Sequence, residues 1–180
     1  MKKTILLIVM LIITSMTFAQ QKGVKWMSFE EVKAAMTQQP KKIFIDVYTD
    51  WCGWCKRMDK DTFSDSIIAS YINENYYAIK MNAETTDTIS IKGHQFINSN
   101  TNTTGKKGSH DLAIALLQGK MSFPSYVILN EKLEILQTIP GYHTARNFEP
   151  MLHYFAEERY NNIEWENFKK EFKSAFPPEK

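Results

Sequence analysis

Residues 43–56 read IFIDVYTDWCGWCK, an apolar run followed closely by two cysteines. Residues 43–48 are β-branched or aromatic apart from Asp46, and such a run is typical of a central strand buried on both faces. Asp46 is therefore predicted to be a buried carboxylate. The residues that follow Gly53 favour a helix. The sequence thus predicts that Cys52 and Cys55 lie where a buried strand ends and a helix begins.

These two cysteines are the only ones in 180 residues, and two residues separate them. A structural zinc site usually needs four ligands, and the histidines of this chain lack the paired spacing of such sites. A purely stabilising disulfide is also a weak explanation, because closing so small a loop contributes only about 2 kcal/mol. Redox chemistry explains the spacing better.

The predicted position of the cysteines assigns them different roles. A thiolate at a helix N-terminus meets unpaired backbone N–H groups and the positive end of the helix dipole, which lower its pKa. Cys52 is therefore predicted to be the exposed, attacking thiol. Cys55, one turn into the helix, is predicted to be shielded and to resolve the mixed disulfide that Cys52 forms with a substrate.

Composition indicates one folded domain of ordinary polarity. The chain is 43% hydrophobic and 23% charged, with a formal net charge of +2. That length and apolar content are sufficient for a single core. Without Lys2 and Lys3, which lie in a segment expected to be removed, basic and acidic residues balance. A neutral chain has no electrostatic footprint for nucleic acid, so we expect no nucleic-acid partner.

The first nineteen residues are typical of a secretory signal peptide. Two lysines precede the apolar run 5–13, and Thr17 and Ala19 place small residues at a cleavage site. The run is shorter than the roughly 20 residues of a spanning helix, and no cysteine follows it to carry a lipid. We expect cleavage after Ala19, no membrane anchor afterwards, and a periplasmic or secreted protein. Disulfides persist in those compartments.

Residues 45–56 resemble the active-site strand and helix start of the thioredoxin-like family, including the acidic residue six positions before the first cysteine. Residues 79–82 are similar to the next central strand of that family, and residues 122–129 are similar to its cis-proline segment. Gly141 fits the glycine after the last strand. The resemblance covers roughly residues 27–154 and is closest to exported domains, including the soluble domain of membrane-bound disulfide reductases. It implies an α/β, thioredoxin-like fold with a central mixed sheet flanked by helices.

The resemblance also adds residues to the candidate site. Lys80 is expected beside Asp46, which is the candidate base for Cys55, directly or through water. A buried ion pair without catalytic function is the alternative for these two residues. The substrate groove is expected to contain a cis-proline and its neighbours; the candidate residues are Trp51, Gly53, Trp54, Phe123, Pro124 and Tyr142. Packing under the active-site loop is the alternative for the aromatic residues.

Three segments are expected along the chain: the signal peptide 1–19, a thioredoxin-like domain 20–158, and a C-terminal helical extension 159–180. A polar loop insertion is expected at about 83–109, where the domain is longer than the family pattern, and within it residues 98–109 are predicted to form a mobile surface loop. Further helices are predicted at 29–38, at 52–63, after a cap at Ser64 or Asp65, at 110–118 with Ser109 as the cap, from Thr144, and at 162–176. Further strands are predicted at 76–82, 126–130 and 133–139.

These observations predict an exported thiol–disulfide oxidoreductase of the reductase or isomerase type. The alternatives are a non-catalytic binding module of the same fold and a metal carrier that uses Cys52, Cys55 and one histidine. We expect no metal and no cofactor beyond the redox-active disulfide Cys52–Cys55. The expected partners are protein thiols and disulfides and a membrane-embedded electron donor, and the chain is expected to be monomeric. Trp54 replaces the proline often found before the second cysteine, so spacing alone leaves the direction of electron flow open.

Overall fold

The computed structural model describes residues 23–99 and 108–178. The predicted signal peptide 1–19 and its cleavage after Ala19 lie outside the described residues, as do residues 100–107 of the predicted polar loop. Within the two described ranges, no helix has the length and apolar character needed to cross a membrane.

The described part of the chain contains seven strands and six α-helices. They are β1 (Trp26–Met27), α1 (Phe29–Gln38), β2 (Lys42–Tyr48), α2 (Gly53–Met58), α3 (Ser66–Asn75), β3 (Tyr76–Asn82), β4 (Ile89–Ile91), β5 (His94–Phe96), α4 (Asp111–Leu116), β6 (Ser125–Leu129), β7 (Ile135–Pro140), α5 (Ala145–Ala156) and α6 (Trp165–Glu171).

Five of the strands form one mixed sheet in the order β1-β3-β2-β6-β7. The strands β1, β3 and β2 are parallel, whereas β6 and β7 are antiparallel to their neighbours. This arrangement confirms the predicted mixed sheet, and β2 lies at its centre. Residues 43–47 are buried, as their composition predicts.

The two faces of the sheet carry separate apolar clusters because neighbouring residues of a strand point to opposite sides. Ile43, Ile45 and Val47 pack with residues of α1 and α4 on one face. Phe44 lies on the other face with buried residues of α2, α3 and α5, and Tyr126 stacks on it at 5.8 Å between ring centroids. Asp46 belongs to this second face by alternation, which is the face that α2 covers.

The predicted starts of two helices are confirmed. Ser28 Oγ accepts a hydrogen bond from Glu31 N at 3.1 Å, and Glu31 Oε2 accepts one from Ser28 N at 2.7 Å, which is a capping box for α1. Of the two cap residues considered for α3, Asp65 holds the position: its Oδ1 accepts hydrogen bonds from Ile67 N and Ile68 N.

The helix that follows the cysteines differs from the predicted continuous helix 52–63. After α2, residues Asp59–Phe63 form a π-helical turn. Such turns widen a helix locally and are frequent at functional sites. The turn places Asp59 against Lys80 and buries Phe63 against Phe44.

The prediction of a mobile polar loop at 98–109 is wrong for its first residue. Asn98 is buried and donates hydrogen bonds to Thr85 O at 3.1 Å and Gly108 O at 2.8 Å. A buried amide is held in place by such bonds, because leaving it unpaired is costly. The preceding segment folds into the antiparallel hairpin β4–β5, whose turn residues Lys92 and Gly93 both have positive φ, as two-residue hairpin turns require.

The start of α4 is also displaced from the prediction. His110, rather than Ser109, is the cap, and its Nδ1 accepts the hydrogen bond from Leu112 N at 3.2 Å. The helix ends at Leu116, before the predicted end at residue 118. The predicted apolar face is confirmed, since Leu112, Ala113, Leu116 and Leu117 are all buried.

Near the C-terminus, α6 spans seven residues of the predicted helix 162–176. Phe168 is buried and packs on Tyr154 of α5 at 5.1 Å between ring centroids. Beyond the helix, Glu149, a buried carboxylate of α5, accepts hydrogen bonds from Ser174 Oγ at 2.5 Å and Ala175 N at 2.8 Å.

Candidate redox site

The two cysteines form a disulfide at the junction between β2 and α2. Cys52 is the N-cap residue of α2, and its Sγ accepts a hydrogen bond from the backbone N–H of Cys55 at 3.0 Å. A short turn links this cap to the strand, since Cys52 N donates to Thr49 O at 3.1 Å. The cysteines therefore occupy the strand-to-helix position that the sequence predicts.

The expectation of an exposed Cys52 beside a shielded Cys55 is wrong for this disulfide form. Cys52 is 4% exposed and Cys55 is 3% exposed. Both side chains are therefore covered in the disulfide form. What distinguishes the two sulfurs is the N–H donor on Cys52 Sγ. A donor aimed at sulfur stabilises the charged form of a thiol.

A buried acid–base cluster lies on the face of the sheet that α2 covers. Lys80 Nζ contacts Asp46 Oδ2 at 2.6 Å, as the resemblance implies, and also Asp59 Oδ1 at 2.5 Å. Asp46 is buried, whereas the Asp59 side chain is 43% exposed. The cluster therefore extends from the sheet interior to the surface. Sequence reasoning missed Asp59, although it follows Cys52 by seven residues, about two helical turns.

The surroundings of Asp46 bring its proton equilibrium toward neutral pH. Burial raises the pKa of Asp46 to about 6, and the positive charge of Lys80 offsets only part of this effect. Burial opposes the charge of Lys80, but the carboxylates of Asp46 and Asp59 outweigh it and raise the pKa of Lys80. A carboxyl group in this range can exchange a proton under ordinary conditions, as an acid–base catalyst must.

The hydroxyl of Tyr126 is a further polar group near this carboxylate. Lys80, Asp46 and Tyr126 are register partners across β3, β2 and β6, so they form one row on the sheet. Burial, together with the negative charge of Asp46, raises the pKa of the Tyr126 hydroxyl. Asp46 Oδ1, Thr49 Oγ1 and Tyr126 Oη are buried without a hydrogen-bond partner among the described residues. Sequence reasoning identified neither Thr49 nor Tyr126 as part of the site.

One wall beside the disulfide is formed by Trp51 and Phe123. The Trp51 ring is 67% exposed and meets the Phe123 ring edge to face, with centroids 5.9 Å apart. Its indole N–H donates to Glu84 Oε1 at 3.0 Å. Glu84 thus holds a large exposed ring in a fixed position. It lies 33 residues away in sequence, and no local pattern marks it.

A second wall is formed by Trp54, which is 55% exposed, and Tyr142, with ring centroids 5.4 Å apart. The Arg57 guanidinium lies 5.4 Å from the centroid of each ring. Asp61 Oδ2 accepts hydrogen bonds from Arg57 Nε and Tyr142 Oη, both at 3.1 Å. The four side chains form one connected surface cluster, in which the sequence predicted only the two aromatic residues.

The peptide bond between Phe123 and Pro124 is cis, as the resemblance implies. Pro124 is buried, and its carbonyl accepts a hydrogen bond from Gly141 N at 2.8 Å. The next residue, Ser125, pairs with Val47, which places this segment beside the carboxyl end of β2.

Gly53, between the two cysteines, is exposed, with open space where a Cβ would be. Within residues 23–99 and 108–178, no cluster of His, Cys, Asp and Glu side chains could hold a metal ion.

Comparison with known proteins agrees with this geometry. A model of the Thioredox_DsbH family, described as "Protein of unknown function, DUF255", matches residues 14–136. The thiol:disulfide interchange protein DsbD of Pseudoalteromonas atlantica is 33% identical over 67 residues, which is 37% of this chain and 11% of that protein. The chain therefore corresponds to a small part of this curated relative.

Solved structures show the same fold. A thioredoxin-fold protein from Helicobacter pylori matches with a TM-score of 0.53 and 18% identity, covering 73% of this chain and 80% of that one. A DsbH oxidoreductase matches with a TM-score of 0.51 and 16% identity, covering 75% and 85%. The predicted thioredoxin-like fold is thus confirmed. Since the family model covers more than half of the chain, the chain belongs to the Thioredox_DsbH family.

Proposed function

We propose that the protein is an exported thiol–disulfide oxidoreductase that reduces or isomerises disulfides of other proteins. The observation that carries the proposal is the hydrogen bond from Cys55 N to Cys52 Sγ at the start of α2. It favours the thiolate of Cys52 once the disulfide is reduced. The acid–base cluster of Asp46, Lys80 and Asp59 supports the same chemistry, because a resolving thiol must lose its proton.

The proposed reaction has two exchange steps. The Cys52 thiolate attacks one sulfur of a substrate disulfide, and the other substrate sulfur leaves as a thiolate that takes up a proton. Asp46 then accepts the proton of Cys55, directly or through water, and the Cys55 thiolate attacks Cys52 Sγ. The second substrate thiolate leaves, and Cys52–Cys55 is again a disulfide. Two electrons have passed from the dithiol to the substrate, with no cofactor other than this pair.

The two aromatic walls favour a polypeptide substrate over a small disulfide. The exposed indole rings of Trp51 and Trp54, with the half-buried Tyr142, offer apolar area beside a buried disulfide to a peptide segment. The cis-proline segment at the carboxyl end of β2 can pair with an extended strand. We include Trp51, Gly53, Trp54, Phe123, Pro124 and Tyr142 in this proposed groove.

Export and the electron donor belong to the same proposal. The leader-like residues 1–19 favour a periplasmic or secreted location, and the family relative DsbD is a thiol:disulfide interchange protein. An exported reductase needs electrons from across the membrane, so a membrane-embedded donor would regenerate the dithiol. The reduction potential of the Cys52–Cys55 pair, measured in a glutathione series, tests the direction of electron flow. A value near about −270 mV fits a reductase, and one near about −120 mV would identify an oxidant and contradict this part of the proposal.

Alkylation of the reduced protein tests the role of Cys52 directly. At mildly acidic pH, iodoacetamide is expected to label Cys52 at least about tenfold faster than Cys55, because only the thiolate reacts. Mass spectrometry after digestion would measure both rates. The Cys55→Ser variant is the matched control and should keep the fast label. Equal labelling of the two cysteines, or faster labelling of Cys55, would contradict the proposed nucleophile.

The Trp51 wall gives a second prediction. Trp51→Ala is expected to raise KM for a protein disulfide such as insulin about three- to tenfold, because the substrate loses apolar contact area, and to leave reduction of a small aromatic disulfide nearly unchanged. Glu84→Ala should raise KM by a smaller factor, since the indole N–H loses its acceptor. Glu84→Gln, which keeps an acceptor oxygen, is the control. An equal effect of Trp51→Ala on reduction of both disulfides would mean that Trp51 acts on the cysteines and not on substrate binding.

A further inference from the structure

A cavity of about 420 Å³ opens on the face of the sheet opposite Asp46. Its floor consists of Ile43, Ile45, Ile79 and Leu129, each at most 5% exposed. Ile43 lies near the amino end of β2, whereas the disulfide follows the carboxyl end. The cavity is therefore separate from the redox site, and an inference about it does not depend on the proposed function.

Three separate elements wall the cavity. They are α1 with Val32 and Met36, the β4–β5 hairpin with Ile91, and the turn between β6 and β7 with Leu133. The hairpin belongs to the segment that exceeds the thioredoxin pattern, so this segment builds part of the enclosure. The volume lies within the roughly 300–1,000 Å³ that small-molecule sites occupy.

The turn that carries Leu133 has an unusual backbone. Leu133 has a φ of 63°, a left-handed conformation that a bulky side chain rarely adopts. The Asn130 side chain fixes the turn, since its Oδ1 accepts hydrogen bonds from Lys132 N and Glu134 N, both at 2.9 Å. In this conformation Leu133 packs against the apolar cluster that contains the cavity floor.

The mouth of the cavity carries uncompensated positive charge. Lys33, Lys92 and Lys132 are exposed, and each comes from a different wall. None of the three forms an ion pair with a carboxylate within the described ranges of the chain. Glu131 is the acidic residue among those that line the cavity, and Lys42 Nζ already binds it at 3.0 Å. Each wall of the apolar interior thus carries one exposed lysine.

We propose that this cavity binds one molecule of an anionic single-chain amphiphile, with its hydrocarbon chain on the isoleucine floor and its carboxylate between Lys33, Lys92 and Lys132. An alkyl chain suits these walls because apolar cavities hold water poorly. A peptide would bring backbone N–H and C=O groups that the apolar floor leaves unpaired. A carboxylate at the mouth stays partly hydrated while it meets complementary charge. The chemical class is therefore a fatty acid.

Calorimetry with the full chain in its disulfide form tests the proposal. Dodecanoate, kept below the concentration at which it forms micelles, is expected to bind saturably with one molecule per chain. Octanoate and decanoate should bind more weakly, by about fourfold for each methylene removed. Absence of saturable binding by all three acids would overturn the proposal. Binding to phosphatidylglycerol vesicles without binding of free dodecanoate would also overturn it, because the lysines would then mark a membrane-contacting surface.

Two variants and a control separate the cavity from general charge attraction. Ile91→Trp, which fills the wall, and the pair Lys92→Glu with Lys132→Glu, which reverses charge at the mouth, are each expected to weaken dodecanoate binding at least tenfold. The control pair Lys169→Glu with Lys170→Glu on α6 changes the net charge by the same amount, away from the cavity. It should leave dodecanoate binding unchanged. Far-ultraviolet circular dichroism and the midpoint of thermal unfolding verify the fold of every variant. The proposal fails if the control pair loses as much affinity, or if the charge-reversed mouth binds dodecanoate normally.

Discussion

Cys55→Ser is expected to stop turnover while leaving the first attack intact, so that a mixed disulfide between Cys52 and substrate accumulates. In the folded protein Cys52 and Cys55 lie at the same helix start and are already joined to each other. Well-oriented internal groups react as though present at about 10⁵ M or more, far above the millimolar thiol of an assay. Release of substrate should therefore slow at least about a thousandfold when an external thiol has to replace Cys55. Non-reducing electrophoresis with a disulfide-bonded substrate measures the trapped species.

Cys52→Ser is the matched control for this experiment. It makes the same change in size at the other cysteine. It should trap no substrate, because the attacking sulfur is absent. The roles assigned to the two cysteines would be reversed if Cys52→Ser accumulated the mixed disulfide. Equal trapping by both variants would indicate two equivalent thiols, contrary to the single N–H donor found on Cys52 Sγ.

The local part of this site could be predicted from sequence because it depends on short-range pattern. Residues 43–48 combine strand-forming side chains with one acidic residue, and burial of Asp46 follows from that pattern. The resemblance added Lys80, and the parallel pairing of β2 with β3 makes it the register partner of Asp46. The cis bond before Pro124 likewise required the family pattern, since most bonds before proline are trans.

The missed residues depend on contacts between distant parts of the chain. Asp59 reaches Lys80 from a π-helical turn, and a sequence that favours helix does not reveal this widening. Glu84 and Tyr126 enter the site through loop and strand positions that only the tertiary structure fixes. The burial of Cys52 in the disulfide form has the same origin. A helix N-terminus predicts the charge environment of a sulfur but not what covers it.

The hairpin β4–β5 was missed for a different reason. Its strands are three residues each, so Ile89 and Ile91 give too little alternation to identify a strand. The neighbouring polar residues then suggested a loop for the whole region. The Lys92-Gly93 turn was the available signal, since glycine commonly supplies the positive φ of a two-residue hairpin.

Asp46→Asn is expected to slow resolution of the mixed disulfide about a hundredfold near pH 7, because the proton of Cys55 loses its acceptor. Asparagine keeps the size and one oxygen, and Lys80 keeps its contact with Asp59. The first attack by Cys52 should change little. Rapid-quench measurements from about pH 5 to pH 8 separate the attack step from the release step. The release rate of the wild type should rise with pH around pH 6, and that of the variant should not.

The same substitution is expected to stabilise the disulfide form of the protein at neutral pH. Folding raises the pKa of Asp46 from 3.8 to about 6, so between these values the folded state binds more protons than the unfolded state. Asp46 therefore favours folding most at low pH, and its contribution falls as pH rises through this window. Above the folded pKa, the buried carboxylate lowers the free energy of unfolding by about 3 kcal/mol.

Denaturant unfolding at two pH values measures this effect and decides what a slow Asp46→Asn variant means. The variant should be more stable than the wild type by about 2–3 kcal/mol near pH 8, and nearly equal to it below about pH 3.8, where wild-type Asp46 is protonated. Asp59→Asn is the control and should change stability much less, because Asp59 is partly exposed. Slower resolution in a more stable protein assigns Asp46 to catalysis, since damage to the fold would lower stability. Unchanged insulin turnover together with raised stability would rule out the base and leave the Asp46–Lys80 pair as a buried ion pair that lowers the stability of the fold.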